Sequence, residues 1–282
     1  MKFKSFIYTA SLATALSIGF IACNGNNNSS ADNSSTSDIT NFRFNENIKS
    51  ASRCYNITSD DFNCYLTITT SVQWPEKIAE YDISHLRDTI IALTYPNSKT
   101  TDIDKAIIGF VDDYATYQLG SEAKRIDSIP SGADDTRIYN SDVRLTLAEI
   151  TPQTATYSVD FSTYLGGAHP NSGSQPFTYL LKDAKIIDID WLFTPGYQDT
   201  LIPILQDAVA QSAGITKSEM FESMLSNSFP VSDNVYILNG TIIFHYNPYI
   251  LLPHSYGQID ASVSPYLVRD ILTPQAKALL LD

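Results

Sequence analysis

Three short segments of this chain hold side chains able to do chemistry or to grip a ligand. The first is Tyr164-Leu165-Gly166-Gly167-Ala168-His169-Pro170-Asn171. Its paired glycines permit positive φ, and Pro170 biases His169 toward extended backbone, so a histidine is presented on a shaped loop. The second runs Phe244-His245-Tyr246-Asn247-Pro248-Tyr249, through Ile250-Leu251-Leu252, to Pro253-His254-Ser255-Tyr256-Gly257, and is aromatic-rich and punctuated by proline. The third is Asp188-Ile189-Asp190. In extended backbone, alternate residues point the same way about 7 Å apart, within the ~5–9 Å that separates a glycosidase's acid from its base. The same Asp-x-Asp, lying before Trp191-Leu192-Phe193, is also a common helix entry.

Several chemistries can be weighed against these residues. His169, His245 and His254 with Asp160, Asp188 or Asp190 offer zinc-type ligands, but no HExxH or other compact pair supplies the spacing, and neither a metal nor a cofactor is expected. No GxSxG elbow marks a serine nucleophile. Tyrosine gives large amphipathic contact at low entropic cost, and Tyr164, Tyr179, Tyr246, Tyr249 and Tyr256 crowd these segments. The expected ligand-binding set is therefore His169, Tyr246, Tyr249, His254 and Tyr256. The catalytic alternative uses His169 as general acid or base, with Asp188 and Asp190.

The elements that must position these residues can be read from periodicity. Two strands, Ile48 to Ile57 and Phe62 to Trp74, flank the turn-prone Ser59-Asp60-Asp61. Helical spacing follows in Ile83, Leu86, Ile90 and Leu93, then in Ile103, Ile107, Phe110 and Tyr114. A polar stretch from Gly120 to Asp135 reads as a subdomain boundary. Period-two alternation marks strands at Val143-Leu147, Tyr157-Phe161 and Phe177-Leu181. Helices are predicted from Asp199 to Ala213 and from Lys217 to Ser226, the latter behind the capping box Thr216 to Glu219. Val235 and Ile237 meet Ile242 and Phe244 across Asn239-Gly240, a strong hairpin signal. Ser264-Pro265 predicts a last helix through Leu272. The pattern is α+β: a largely antiparallel sheet with helices packed on one face, in two subdomains, 42–135 and 136–282.

The amino-terminal end carries a different message. Lys2 and Lys4 precede an almost uncharged run that ends in Phe20-Ile21-Ala22-Cys23. A basic start, an apolar core and a small residue before a cysteine form a bacterial lipoprotein signal, so residues 1–22 are expected to be removed and Cys23 lipidated. Residues 24–41, rich in Asn and Ser, would tether the folded part some ~20–25 Å from a membrane, in the cell envelope. Export to an oxidising compartment predicts a Cys54–Cys64 disulfide stapling the first hairpin, since the nine residues between them suit neither a CxxC redox pair nor usual zinc spacing.

Composition narrows the partners. At 43% hydrophobic and 17% charged, the chain can bury a sizeable core. Loss of Lys2 and Lys4 deepens its formal charge from −13 by two, to −15. Such a surface does not suit nucleic acid, whose phosphates need clustered Lys and Arg, and instead attracts basic proteins or cations.

The glycine-histidine loop, the Lys182–Phe193 segment and the Phe244–Gly257 segment together resemble the extracytoplasmic domain of RsiV-like anti-sigma factors, which also accompanies PdaC-like peptidoglycan deacetylases. The resemblance covers about Tyr157 to Leu272 and extends more weakly over Ser50 to Gly120. Ile250 stands where that family often has an acid, and His254 where it usually has an aromatic. The resemblance implies an extracytoplasmic recognition domain: RsiV-like domains bind lysozyme, and the deacetylase-linked ones sit beside enzymes of the wall glycan. A lysozyme-like protein or a peptidoglycan fragment is the partner it implies, with a glycan hydrolase or deacetylase-like enzyme as the alternative.

Overall fold

A computed structural model describes residues 43–59, 62–119, 123–134 and 137–281. The expected signal (1–22), Cys23 and the whole of the expected tether (24–41) lie outside the described residues. Two long strands, β1 (Phe44–Ser59) and β2 (Phe62–Ile78), pair antiparallel along their length. Alternation sends Leu66, Ile68 and Val72 to one side, where they are fully buried. Two helices cover that side: α1 (Ser84–Thr94), burying Leu86, Ile90 and Ile91, and α2 (Ile103–Leu119), burying Ile107 and Val111. Burying each such side chain stabilises the fold by about 1.5–3 kcal/mol.

The polar stretch after α2 contains a short edge strand, β3 (Ala123–Ile126), paired with β1. The chain then crosses to β4 (Ile138–Ile150), parallel to β2, and continues antiparallel through β5 (Thr154–Tyr164), β6 (Asn171–Leu180) and β7 (Lys185–Ile186). One seven-stranded sheet, ordered β3-β1-β2-β4-β5-β6-β7, thus runs through both halves of the chain, antiparallel except at β2–β4. Leu145, Tyr157, Val159 and Phe177 complete the core beneath α1.

The other side of the sheet is polar. Residues paired across antiparallel strands share a face, and the registers Asp142↔Ser162↔Ser172 and Arg144↔Asp160↔Ser174 therefore lay rows of polar side chains across β4, β5 and β6. Toward the opposite end of β5 and β6 this face is roofed. Thr156 and Thr178 grip the backbone of a second, three-stranded sheet there: Thr156 Oγ1 donates to the Ile237 carbonyl at 2.9 Å, and Thr178 Oγ1 accepts from the Ile237 N–H at 2.8 Å.

That second sheet, ordered β10-β9-β8, comprises β8 (Val235–Leu238), β9 (Thr241–Tyr246) and β10 (Ile259–Val263). The β8–β9 turn is the Asn239-Gly240 turn read from sequence, with both residues at positive φ (50° and 67°). Helices α3 (Ile189–Leu192), α4 (Gln198–Ala213) and α5 (Lys217–Ser223) lead into it, and Leu201, Leu205 and Val209 of α4 share its core with Ile242, Phe244 and Val263. The Thr216–Glu219 capping box forms at the start of α5.

Two expectations are corrected. Ser264-Pro265 opens only a 3-10 turn, Pro265–Leu267, because the following backbone is needed elsewhere: Ile271 accepts from Thr194 N at 2.8 Å, and Leu272 bridges Phe193. The last helix, α6 (Pro274–Leu280), starts nine residues later, behind the Thr273 cap. The Cys54–Cys64 bridge does not form, and both are free thiols. Cys64 pairs with Ile57 and Cys54 with Thr67, so the two lie three rungs apart on opposite faces of the hairpin. Three rungs of strand span about 10 Å, beyond the ~7 Å Cα limit of a disulfide. Burial pushes the Cys64 thiol above its ordinary value, which lowers its reactivity. Maleimide labelling of the folded chain should modify Cys54 and spare Cys64 until denaturant is added; equal protection of both without reductant would restore the bridge.

Candidate functional site

The segment after β9 is where the two sheets meet. Asn247 reaches across to β6, where its Oδ1 accepts from the Ser174 N–H at 2.7 Å and its Nδ2 donates to the Ser174 carbonyl at 2.8 Å. A side-chain amide thereby takes the place of a neighbouring strand. The contact requires glycine at 173, because a Cβ there would stand 2.6 Å from Asn247 Oδ1 and 2.5 Å from the Phe161 ring. Ser174 is further held through its hydroxyl, which donates to Asp160 Oδ1 at 2.6 Å and lies 2.9 Å from Gln258 Oε1.

His245 braces this amide from behind. Its Nε2 lies 3.2 Å from Asn247 Oδ1 and its Nδ1 2.7 Å from Asp260 Oδ1, and its side chain is only 2% exposed. The doubly tied Asn247 presents oxygen to His245, so both ring nitrogens face acceptors. A carboxylate orienting a histidine resembles two-thirds of a hydrolase triad, yet the position a nucleophilic hydroxyl would need at Nε2 holds an amide oxygen. His245 is a strut. Burial, and then the neighbouring Asp260 carboxylate, hold the Tyr236 hydroxyl protonated well above the usual tyrosine range.

Beyond Asn247 the chain makes a tight excursion. Pro248 is buried, and Tyr249 sits at φ 66°, a left-handed conformation rare for a bulky side chain and costing on the order of 1–3 kcal/mol. Backbone bonds from Ile250 N to the Asn247 carbonyl (3.1 Å) and from Tyr249 N to the Leu252 carbonyl (3.2 Å) hold the turn. Its product is a 44% exposed Tyr249 ring whose centroid lies 5.4 Å from that of His254, in the 3-10 turn His254–Tyr256. His254 in turn stacks on His169 of the β5–β6 loop, with centroids 4.3 Å apart and planes inclined by 20°. The loop is shaped by Gly166 and Gly167 at positive φ and by Tyr164, whose hydroxyl donates to the Gly167 carbonyl at 3.2 Å. The Pro170 carbonyl lies 3.1 Å from His169 Nδ1 and can accept a proton carried on that nitrogen.

Of the residues singled out in the sequence, His169, Tyr249 and His254 converge in this ring stack. Tyr256 is half-buried at its flank, 3.3 Å from the Ser223 hydroxyl. Tyr246 and Tyr179 face the interior: Tyr246 is 1% exposed, with its hydroxyl on the Pro230 carbonyl, and Tyr179 is buried with its hydroxyl 3.0 Å from His85 Nδ1. Asp188 caps α3 by accepting from the Trp191 N–H at 2.8 Å, and Asp190 lies in that helix's first turn. The pair borders a shallow cleft of about 410 Å³ with Asp183, Lys185 and Trp191. Among the described residues, no three His, Cys, Asp or Glu side chains converge to hold a metal ion, and no helix is long and apolar enough to cross a membrane. Asn247 and Gly173, which carry the site, went unremarked in the sequence. An Asn before Pro-Tyr, and a glycine inside a strand pattern, which marks close backbone approach, were the available signals.

Residues 190–265, which include Asn247, Tyr249 and His254, match the DUF3298 family, described as protein of unknown function. The chain is 33% identical over 116 residues to Esterase Rv3036c of Mycobacterium tuberculosis, covering 40% of this chain and 50% of that protein. It thus spans about half the length of this curated relative. Crystal structures of DUF3298 proteins from Bacteroides fragilis and Pseudomonas aeruginosa PAO1 have similar folds. The first has TM-score 0.59 at 16% identity, covering 84% of this chain and 97% of that one. The second has TM-score 0.54 at 12% identity, covering 82% and 96%. At such identities the likeness is one of fold. The chain matches the DUF3298 family over residues 190–265 and shares an α+β fold with solved proteins of that family.

Proposed function

We propose that this chain is a lipid-anchored recognition protein of the bacterial cell envelope, held at the membrane through Cys23, with an RsiV-like domain that binds a lysozyme-like basic protein or a peptidoglycan fragment. The observation that carries this reading is the stack of His169, His254 and Tyr249. His169 stacks on His254 from far away in sequence, and Tyr249, beside His254, is held there in strained backbone. A fold retains such strain where the exposed ring has a task. The formal charge of −13 favours a basic partner, and flat ring faces suit the apolar faces of sugars. Titration of the full chain with lysozyme and with soluble peptidoglycan fragments, at low and physiological salt, tests this. Binding of one of them should be saturable, and Tyr249→Ala should weaken it at least ~10-fold, about 1.4 kcal/mol. Equal affinity of both forms would remove the ring stack from recognition.

A second reading is ester hydrolysis, favoured by the name of the mycobacterial relative. With His245 committed as a strut, the base would be His169. If so, His169→Ala should lower turnover of p-nitrophenyl butyrate by roughly 10²–10⁴. Turnover that survives the substitution would reject that role.

A further inference from the structure

The outer edge of the large sheet is only half covered. β3 pairs with β1 from Cys54 to Ile57 alone, and among the described residues no strand pairs with the outer side of β1 from Phe44 to Arg53. Two contacts fix which backbone groups face outward. Pro75, opposite Glu46 on β2, has no N–H and gives its carbonyl to Arg87 Nε at 3.0 Å, so Glu46 does not bond to β2. The Ser52 carbonyl accepts from Arg53 Nη1 at 2.9 Å rather than from a strand. Alternation then turns the N–H and C=O of Phe44, Glu46, Ile48, Ser50 and Ser52 outward. No proline interrupts this run, and a large apolar side chain borders it on each side of the sheet. Ile48, 66% exposed, lies on the open side, since its neighbour Lys49 stands opposite the buried Val72 of the helix side. On the helix side, Asp104, Ile108 and Asp112 form one stripe of α2. The ion pairs Lys49–Asp104 (3.2 Å) and Arg53–Asp112 (3.1 Å) set that stripe along β1, so the 42% exposed Ile108 also borders the edge.

We infer that this edge is a self-association surface: β1 of a second copy pairs with it antiparallel, about a two-fold axis through Ile48, and joins two seven-stranded sheets into one. The inference does not depend on the recognition reading. Ile48 is the middle of the five outward positions, so this register uses the whole edge of both copies. Phe44 of the second copy then stops opposite Ser52, short of the place where β3 takes over at Cys54. The edge is also its own chemical match. Ile48 meets Ile48 of the second copy, Glu46 meets its Ser50 and Lys49 its Asn47, so no like charges oppose one another from 44 to 52. An open edge is a template for any extended chain, but a foreign peptide would have to supply a match that this edge already carries. Two chains of formal charge −13 repel at long range. Association therefore rests on backbone bonds and apolar contact, and strengthens as salt screens that field.

The test is sedimentation equilibrium of the full chain with Cys23→Ser and Cys54→Ser, which leave the buried Cys64 as its one native thiol. A monomer–dimer equilibrium is expected. Ile48→Lys should weaken it at least tenfold by setting two ammonium groups on the axis. Ile48→Pro should weaken it as well, because the N–H it removes faces outward and the β1–β2 ladder is untouched. Hydrogen-bonded residues opposite each other lie about 5.5 Å apart at Cα, within disulfide reach. Ile48→Cys should therefore oxidise to a covalent dimer, while Ser50→Cys, about 13 Å along the strand from its own copy, should not. If the Lys and Pro variants do not fold, this cysteine pair decides. A monomer at every concentration overturns the inference, and outward amides protected from exchange in that monomer would give the edge to the chain's own residues before Arg43. A dimer that ignores Ile48→Lys and forms no Ile48→Cys bond makes its contact elsewhere, and overturns the inference too.

Discussion

The candidate site depends on one side-chain amide. Asn247 satisfies both the N–H and the carbonyl of Ser174, and this pair of bonds is what fastens the loop after β9 to the central sheet. Each bond is worth only about 1 kcal/mol net. Their value is geometric: two bonds to one peptide fix the amide in position and in rotation. Gly173 must lack a side chain for the approach to occur, and His245, itself held by Asp260, fills the space behind. The strained Tyr249 turn and the His254–His169 stack follow within seven residues of that anchor.

The two sheets divide the labour. The large one has an apolar side sealed by α1 and α2 and a polar side left largely open, so the same period-two pattern that builds the core also generates a regular array of hydroxyl and charged groups. The small one buries most of its side chains with α4 and contributes no comparable array; it serves as a wall, seated through Thr156 and Thr178. The candidate site thus lies at the seam between the two sheets.

Much of this was legible in the sequence, for identifiable reasons. Hydrophobic alternation located β4, β5, β6, β8 and β9, because each is buried on at least one side, and Thr216 and Asn239-Gly240 announced a cap and a turn through local chemistry alone. His169, Tyr249 and His254 stood out because glycines and prolines flag shaped loops. The failures were tertiary. The cysteine pairing looked sound from compartment and spacing, but strand register put the two thiols on opposite faces, and register is a long-range property. The Pro265 segment had a proper helix start, yet its backbone was claimed by Phe193 and Thr194, some 70–80 residues away. Tyr246 had the right type and neighbourhood for a ligand contact, but β9 is buried on both faces, whereas Tyr249, two residues beyond the Asn247 anchor, turns outward.

Hydrogen exchange in Asn247→Ala tests the central claim, that one amide clamp organises the site, most directly. Amides from Tyr249 to Gly257 should exchange at least tenfold faster than in the parent chain, while those in the middle of β4 and β5 keep their protection. Unchanged exchange across 249–257 would show that the loop holds its shape without the clamp, and would contradict the account.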